Sequence, residues 1–451
     1  MKYAAQEGNH RSQNWLGELP DGWATKRLKY VSTINDETLP ETTDPDYELL
    51  YVDIGSVDAT EGIQKKEPMI FETAPSRARR VVQDGDTIVS TVRSYLRAVA
   101  PIRNPEENLI VSTGFAVVRP KGIDPHYLAY SLRSSYFIET VVSRSVGVSY
   151  PATNPTDVSC IELPLPPIDE QQAIARFLDA KTAQIDALVA QKRQLIAKLK
   201  EKRSALIART VTRGLPPEAA KAVGLEPHPE MKDSGHPWLA DIPAHWEVKR
   251  LKDISVLFGR IGFRGYSTED LVYEGEGAIS LSPSNMVGGA LALDKCTWLS
   301  WEKYHESPEI KVAVGDVIMV KTGSTLGKVA FVGSVPTPMT INPQLMIFKE
   351  VKCSNRFLFY YLISTVIQDI IPLHNTGSTI PTMTQEGIGK LPFPCPNIEE
   401  QDAIATFLDE QTNMLDSMTA AIGVAIERLV EYRQAVITSA VTGKIDVRGL
   451  A

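Results

Sequence analysis

Two stretches of the chain gather side chains able to hydrogen-bond base edges and phosphates. TVRSYLRA, residues 91–98, carries Arg93, Ser94, Tyr95 and Arg97; KTGSTLGK, residues 321–328, carries Lys321, Thr322, Ser324 and Lys328. Arginine and lysine donate to phosphate oxygens and to guanine, and hydroxyl groups serve either kind of partner. A second pair, RSVGVSY (144–150) and NTGSTI (375–380), adds Arg144, Ser145, Asn375, Thr376 and Ser378. Any one of these residues could sit on an ordinary solvated loop. Taken together, the patches point to a nucleic-acid contact.

Other chemistry finds no support in the residues. GSTLGKV (Gly323–Val329) is one residue short between its glycines for a phosphate-binding P-loop, and Val329 stands where a Ser or Thr would reach Mg²⁺. The matching stretch RSYLRAV (Arg93–Val99) has no glycine. NPTD (Asn154–Asp157) lacks the aromatic residue that would stack on a flipped base. No GxSxG, HExxH or paired-carboxylate pattern recurs in both halves. The cysteines Cys160, Cys296, Cys353 and Cys395 form no CxxC pair and have no zinc-spaced histidine, so they read as reduced structural thiols. No catalytic residue, metal site or bound cofactor is assigned. The net charge of −8 runs against the usual basic footprint of a nucleic-acid binder, but it averages over parts of the chain that face different partners.

The elements that hold the polar stretches come in duplicate. IDEQQAIARFLD (Ile168–Asp179) returns as IEEQDAIATFLD (Ile398–Asp409), and at the same offset Gly85-Asp86 matches Gly315-Asp316, Gly147 matches Gly377, Pro151 matches Pro381, and Pro164/Pro166 match Pro394/Pro396. Nearer the two starts the offset changes, and WLGELPDGWATKRLK (Trp15–Lys29) answers WLADIPAHWEVKRLK (Trp238–Lys252). Collinear markers of this kind mean two copies of one unit, each long enough to bury a core of its own. Within each copy, DGDTIVSTV and VGDVIMVKT read as turn then strand, FAVVRP and LMIFKE as strands, and residues 126–142 and 356–371 as helical. The globular part is therefore mixed α/β (α+β) and not a βαβ ladder.

After each proline-rich run a long helix begins. Apolar residues recur at heptad spacing at Ile174, Leu178, Ile185, Leu188, Leu195, Leu199 and Leu206, interrupted by Lys181, Lys192 and Lys202. In the second copy they fall at Ile404, Leu408, Leu415, Met418, Ile422, Ala425, Leu429, Tyr432 and Val436, with Gln411 as the polar interruption. Helices over 168–211 and 398–441 would each be about 66 Å long at 1.5 Å per residue, so each needs a partner. An antiparallel pair fits the proline-rich linker Gly214–Pro237, and the expectation is a dumbbell, two globules separated by a helical spacer. The domain boundaries follow: an N-terminal extension at 1–14, a first globular domain at 15–160, a first spacer helix at 161–213, the linker at 214–237, a second globular domain at 238–390, and a second spacer helix with its tail at 391–451. The opening MKYAAQEGNHRSQ has no signal-peptide core and no apolar run is long enough to span a bilayer, so a soluble, cytoplasmic protein with no membrane association is expected.

These residues resemble the specificity subunit of type I restriction-modification systems along almost the whole chain. The resemblance rests on the Trp-Leu-Gly/Ala…Pro…Trp…Lys-Arg-Leu-Lys openings at Trp15 and Trp238, the Gly-Asp turns, and the proline-rich runs into Glu170-Gln171 and Glu400-Gln401. It implies a non-catalytic reader in which two target-recognition domains each read one half of a bipartite site in double-stranded DNA. The two helices would form an antiparallel coiled coil that helps hold two modification (methyltransferase) subunits, with restriction (endonuclease/translocase) subunits joining the complex. S-adenosylmethionine, ATP and Mg²⁺ would be bound by those partners, in a host-defence system. Recognition domains vary widely in this family, so the thirteen donor residues come from their chemistry and not from the resemblance. The rival readings are a duplicated stand-alone DNA-modifying enzyme with an unrecognised active site, and a purely structural coiled-coil adaptor.

Overall fold

The computed structural model describes residues 16–147, 151–239, 241–260, 265–377 and 379–448. The chain divides into two units, residues 1–193 with 422–451 and residues 194–421. The unit boundary therefore falls inside both long helices, Ile168–Arg213 and Ile398–Val441.

In the first unit one four-stranded sheet runs in the order Glu67–Ile70, Glu48–Val52, Leu109–Ser112, Ala78–Val81, and a second in the order Ser32–Ile34, Phe115–Pro120, Thr87–Ser90, Val99–Pro101. The second unit repeats the second of these sheets strand for strand, as Val256–Gly259, Leu345–Lys349, Val317–Val320, Val329–Phe331. Its other sheet, Leu271–Val272, Thr297–Leu299, Ala278–Leu281, Met339–Ile341, keeps the parallel pair (Glu48–Val52 with Leu109–Ser112 in the first unit, Ala278–Leu281 with Met339–Ile341 in the second). It gains Leu271–Val272 at one edge and, among the described residues, has no counterpart of Ala78–Val81 at the other. The expected strands are all present. The two expected helical segments are each broken, into Pro125–Leu132 and Ser135–Ser143 in one unit and Asn355–Ile363 and Thr365–Gln368 in the other. Ser134 causes the first break, since its side chain caps Phe137 N–H and starts a new helix.

The duplicated motifs prove to be fasteners. The KRLK strand Ala24–Arg27 pairs antiparallel with Glu162–Leu165, and Glu247–Arg250 pairs with Pro392–Cys395, so each recognition globule is closed where the chain enters and leaves it. Gly85 and Gly315 adopt left-handed φ values of 87° and 89°, which glycine alone tolerates without strain. The aspartates that follow them are buried and ion-paired across the sheet, Asp86 with Arg119 and Asp316 with Lys349.

Every polar position of the dodecamer's shared core has a partner in its own unit. Glu170 accepts the Trp23 indole N–H at 2.9 Å, and Glu400 accepts that of Trp246 at 3.1 Å. The Gln171 and Gln401 side-chain carbonyls accept the backbone N–H groups of Asp124 and Ser354, and their amides donate to Pro166 and Pro396. Asp179 and Asp409 accept the hydroxyls of Tyr130 and Tyr360. Burial first, and the Asp409 carboxylate second, push the Tyr360 phenol up to about 12. The two anchors differ in burial, because the Glu400 side chain is 6% exposed and that of Glu170 25%. Trp246→Phe is therefore expected to lower stability by about 1–3 kcal/mol by orphaning one oxygen of a buried carboxylate, and Trp23→Phe by less than about 1 kcal/mol. Urea denaturation of the two variants side by side checks the difference.

Two expectations need correction. Neither repeat buries its core alone: Val436, Ile437, Ala440 and Val441, from the second repeat's helix, belong to the first unit's core with Ile174 and Leu178. Ile207 and Val211, from the first repeat's helix, and Leu215, just beyond its end, join Ile404 and Leu408 in the second unit's core. Within each unit the helix segments run antiparallel, since Asp186 pairs with Arg433 beyond the Ile174/Val441 contact region and Arg203 pairs with Asp416 beyond Ile207/Ile404. The heptad seam is also more polar than apolar periodicity suggests. Leu188 and Leu195 are 40% and 47% exposed, as are Met418 at 46% and Tyr432 at 49%, whereas Thr182, Val189, Thr412 and Arg433 are buried. Lys192, expected to interrupt the seam, is half-buried, as is Ile196. Leu188 and Val189 satisfy the 3–4 alternation equally well, and the polar residues in the seam, which decide between them, carry no apolar signal.

Candidate nucleic-acid interface

The Arg93–Arg97 stretch is the turn between antiparallel strands Thr87–Ser90 and Val99–Pro101. Ser94–Leu96 form one 3₁₀ turn, flanked by Arg93 (φ 51°, ψ 47°) and Arg97 (φ 54°, ψ 29°), both left-handed. Left-handed backbone costs an L-residue other than glycine roughly 1–2 kcal/mol, and strain of this kind collects where a loop is held for a purpose. Tyr95 and Leu96 are exposed at the tip, at 54% and 39%. Ser94 is buried, and its hydroxyl has no hydrogen-bond partner among the described residues. Arg97 forms an ion pair with Glu139 at 2.6 Å. Both side chains are exposed, so the pair is worth at most about 1 kcal/mol and a phosphate could displace the carboxylate.

The second unit builds the same turn between Val317–Val320 and Val329–Phe331. Gly323 (φ 116°) and Gly327 (φ 88°) occupy the positions of Arg93 and Arg97. Ser324 is exposed at the tip; Lys321, Thr322 and Lys328 are half-buried at the base. Lys321 has no carboxylate within ion-pair distance among the described residues, and lost hydration holds its ammonium below the usual lysine range. Lys328 donates to the Pro283 carbonyl at 3.2 Å.

In each unit a short connecting segment ties the two polar patches together. Ala152 bridges to both Val92 and Val146, Ser94 N–H donates to the Pro151 carbonyl, and Thr153 N–H donates to that of Thr91. In the second unit Thr322 bridges to Thr382, Gly323 N–H donates to Pro381, Met383 N–H donates to Lys321, and Thr376 N–H donates to Thr382. The patches that are separate in sequence thus form one continuous edge per unit. Pro151 and Pro381 were legible as repeat markers, but nothing in their chemistry marked them as joining two loops.

The remaining candidates differ in how free they are. Arg144 is exposed and donates to the Asp157 carbonyl, and Ser145 donates to Val141 within its own turn. Asn375 shapes its loop: its side-chain oxygen accepts from Gly377 and Thr382 N–H and its amide donates to the Gly377 carbonyl. The Thr376 hydroxyl donates to the Thr382 carbonyl. Ser378 lies outside the described residues, as do Trp15 and the end of the RSVGVSY stretch. Among the described residues no group of His, Cys, Asp and Glu could hold a metal ion, and the four cysteines are free. No single described helix is long and apolar enough to cross a membrane.

A twice-repeated mixed α/β globule, each copy presenting one polar edge and each closed by half of a shared helix pair, defines a duplicated recognition scaffold. The family described as "Type I restriction modification DNA specificity domain" matches residues 20–198 and again 243–428, and the chain belongs to it. This family is the DNA-recognition component of such systems and is not itself catalytic. The chain is similar to the putative type I restriction enzyme MjaX specificity subunit of Methanocaldococcus jannaschii, 23% identical with 96% of each chain covered. It is 24% identical to the MjaVIII specificity subunit of the same organism, over 73% of this chain and 72% of the relative. Its fold is shared with a solved chain from a study of complex assembly and conformational transition of the type I R-M system, at a TM-score of 0.71 and 23% identity, covering 95% of this chain and 100% of the other.

Proposed function

We propose that the chain reads a bipartite, asymmetric DNA site, one part with the edge around Arg93–Arg97 and the other with the edge around Lys321–Lys328, and that its paired helices hold two modification subunits. The observation that carries this is the pair of matching turns: the same strands, the same left-handed positions and a different set of donors, which is how one scaffold is made to read two sequences. Recognition domains at 15–160 and 238–390, with the linker at 214–237, complete the organisation. The exposed Leu188 and Met418 occupy equivalent places on the outer faces of the two helices and are the apolar contacts a helix-binding partner would cover. S-adenosylmethionine belongs to the modification subunits, and ATP and Mg²⁺ to restriction subunits that complete a cytoplasmic complex. The test is methylation mapping of DNA after assembly with modification subunits, beside the chain alone. A two-part methylated site that appears only on assembly is expected. S-adenosylmethionine-dependent methylation by the purified chain alone would overturn the reading.

A further inference from the structure

We infer that a cleft in the first unit, built around Arg133 and Arg433, receives a carboxylate side chain of a modification subunit. The inference rests on the proposed scaffolding role. The cleft has a volume of about 410 Å³, and its charged wall includes Lys66, Arg103, Arg133 and Arg433 against two carboxylates, Glu61 and Asp186. Both carboxylates are taken: Asp186 binds Arg433 through both oxygens, at 2.9 and 3.1 Å, and Glu61 pairs with Arg193 at 2.6 Å. Lys66 has Glu106, and Arg103 has Asp179. Arg133 has no carboxylate within ion-pair distance among the described residues. Its Nη2 donates to the Thr60 carbonyl at 2.8 Å, and its Nε, out of contact with solvent, has no partner. Burial, then the neighbouring Arg433 guanidinium, bring the Arg133 side chain down to about 10.

A cation taken out of water beside another cation is costly unless an anion compensates it, and a guanidinium is shaped to hold a carboxylate through two parallel hydrogen bonds. The fold itself does not require this cation. The second unit has the equivalent helix ion pair, Arg203 with Asp416, and at the position matching Arg133 it has Ile363. DNA phosphate is the less fitting anion, because the cleft is lined by Pro101–Arg103, at the end of strand Val99–Pro101 opposite the Arg93–Arg97 turn, and by the long helices. An acidic residue of a protein seated on those helices fits the place and the charge.

The experiment uses the full chain and its modification subunit, with native mass spectrometry and titration for assembly and a separate DNA-binding assay. Arg133→Ile, which borrows the second unit's residue, is expected to keep the melting temperature and to weaken one of the two modification-subunit binding steps about thirtyfold or more. Complexes with one subunit would replace complexes with two, while DNA affinity of the chain alone stays within about twofold. Arg103→Glu at the rim, which leaves the Thr60 contact intact, is expected to weaken the same step and provides the second reading should Arg133→Ile fold poorly. Leu188→Asp and Met418→Asp test the scaffolding role independently. Should they impair assembly while both cleft variants assemble normally, the cleft assignment alone is wrong. Should none of the four have an effect, the scaffolding role fails and the cleft with it. A cleft variant that loses DNA affinity and keeps assembly would show a phosphate site and overturn the inference.

Discussion

Arg93→Gly combined with Arg97→Gly is expected to weaken binding of site DNA by about thirtyfold or more while leaving the chain as stable as before or more so. Each base-reading arginine is worth about 1–3 kcal/mol, so two removed together should cost roughly 2 kcal/mol at the least. Stability moves the other way because both residues sit in left-handed backbone, at φ 51° and 54°, where an L side chain costs roughly 1–2 kcal/mol and glycine does not. Gly323 and Gly327 show that glycine keeps the turn in this scaffold. The exposed Arg97–Glu139 pair, worth at most about 1 kcal/mol, and the interaction that Arg93 makes each offset part of the gain. The alanine double variant is the control, since it removes the same donors and keeps the strain. Both variants should relax the first part of the recognised sequence and leave the second unchanged, but only the glycine variant should raise the melting temperature. Binding titrations on half-site variants and thermal unfolding together decide it. If the glycine variant reads DNA as the parent does, the arginines do not contact it.

The duplication, the strands and the extents of the long helices were legible because they rest on local signals: Gly-Asp turns, β-branched runs, and proline before a polar start. The role of the dodecamer was only half legible. Its apolar positions announce a helix, but Glu170, Gln171 and Asp179 are there to bind Trp23, Asp124 and Tyr130, and those contacts span 47 to 147 residues. The helix seam was misread where two neighbouring apolar residues compete, Leu188 with Val189 and Leu195 with Ile196, and where Thr182 and Arg433 occupy inner positions that periodicity assigns to apolar side chains. The exchange of helix ends between repeats left no sequence signal, since a core supplied by the other copy has the same composition as one supplied by its own. At the candidate interface, residue types located the turns, but the chain gives no direct sign that Ser94 is buried or that Asn375 is spent on its own loop. The alignment of Arg93 and Arg97 with Gly323 and Gly327 was the one available hint of the left-handed backbone.

Lengthening both helices together should lengthen the unread gap in the DNA site. The construction follows from the two ion pairs, Asp186 with Arg433 and Arg203 with Asp416. The stretch from Asp186 to Arg203 equals that from Asp416 to Arg433, so four residues added after Lys192 and four more after Ile422 keep both pairs in register. Four residues add about 6 Å of rise and about 400° of rotation, which returns the inner face to within about 40° of its direction. With about 3.4 Å per base pair along one strand, the gap should grow by about one or two base pairs, and both recognised sequences should stay the same because neither polar edge is touched. Four residues added after Lys192 alone should behave worse. The two stretches would then differ in length, and one ion pair would have to give. The Arg433 side chain is 8% exposed, and stranding it costs about 3–5 kcal/mol, whereas Arg203 and Asp416 are 29% and 57% exposed and losing that pair costs about 1 kcal/mol or less. The Arg203–Asp416 side should therefore slip, giving a less stable chain and a blurred gap. Methylation mapping of both variants, assembled with modification subunits, is the measurement. An active double-insertion complex with an unchanged gap would show that the helices do not set the distance and serve only to bind partners.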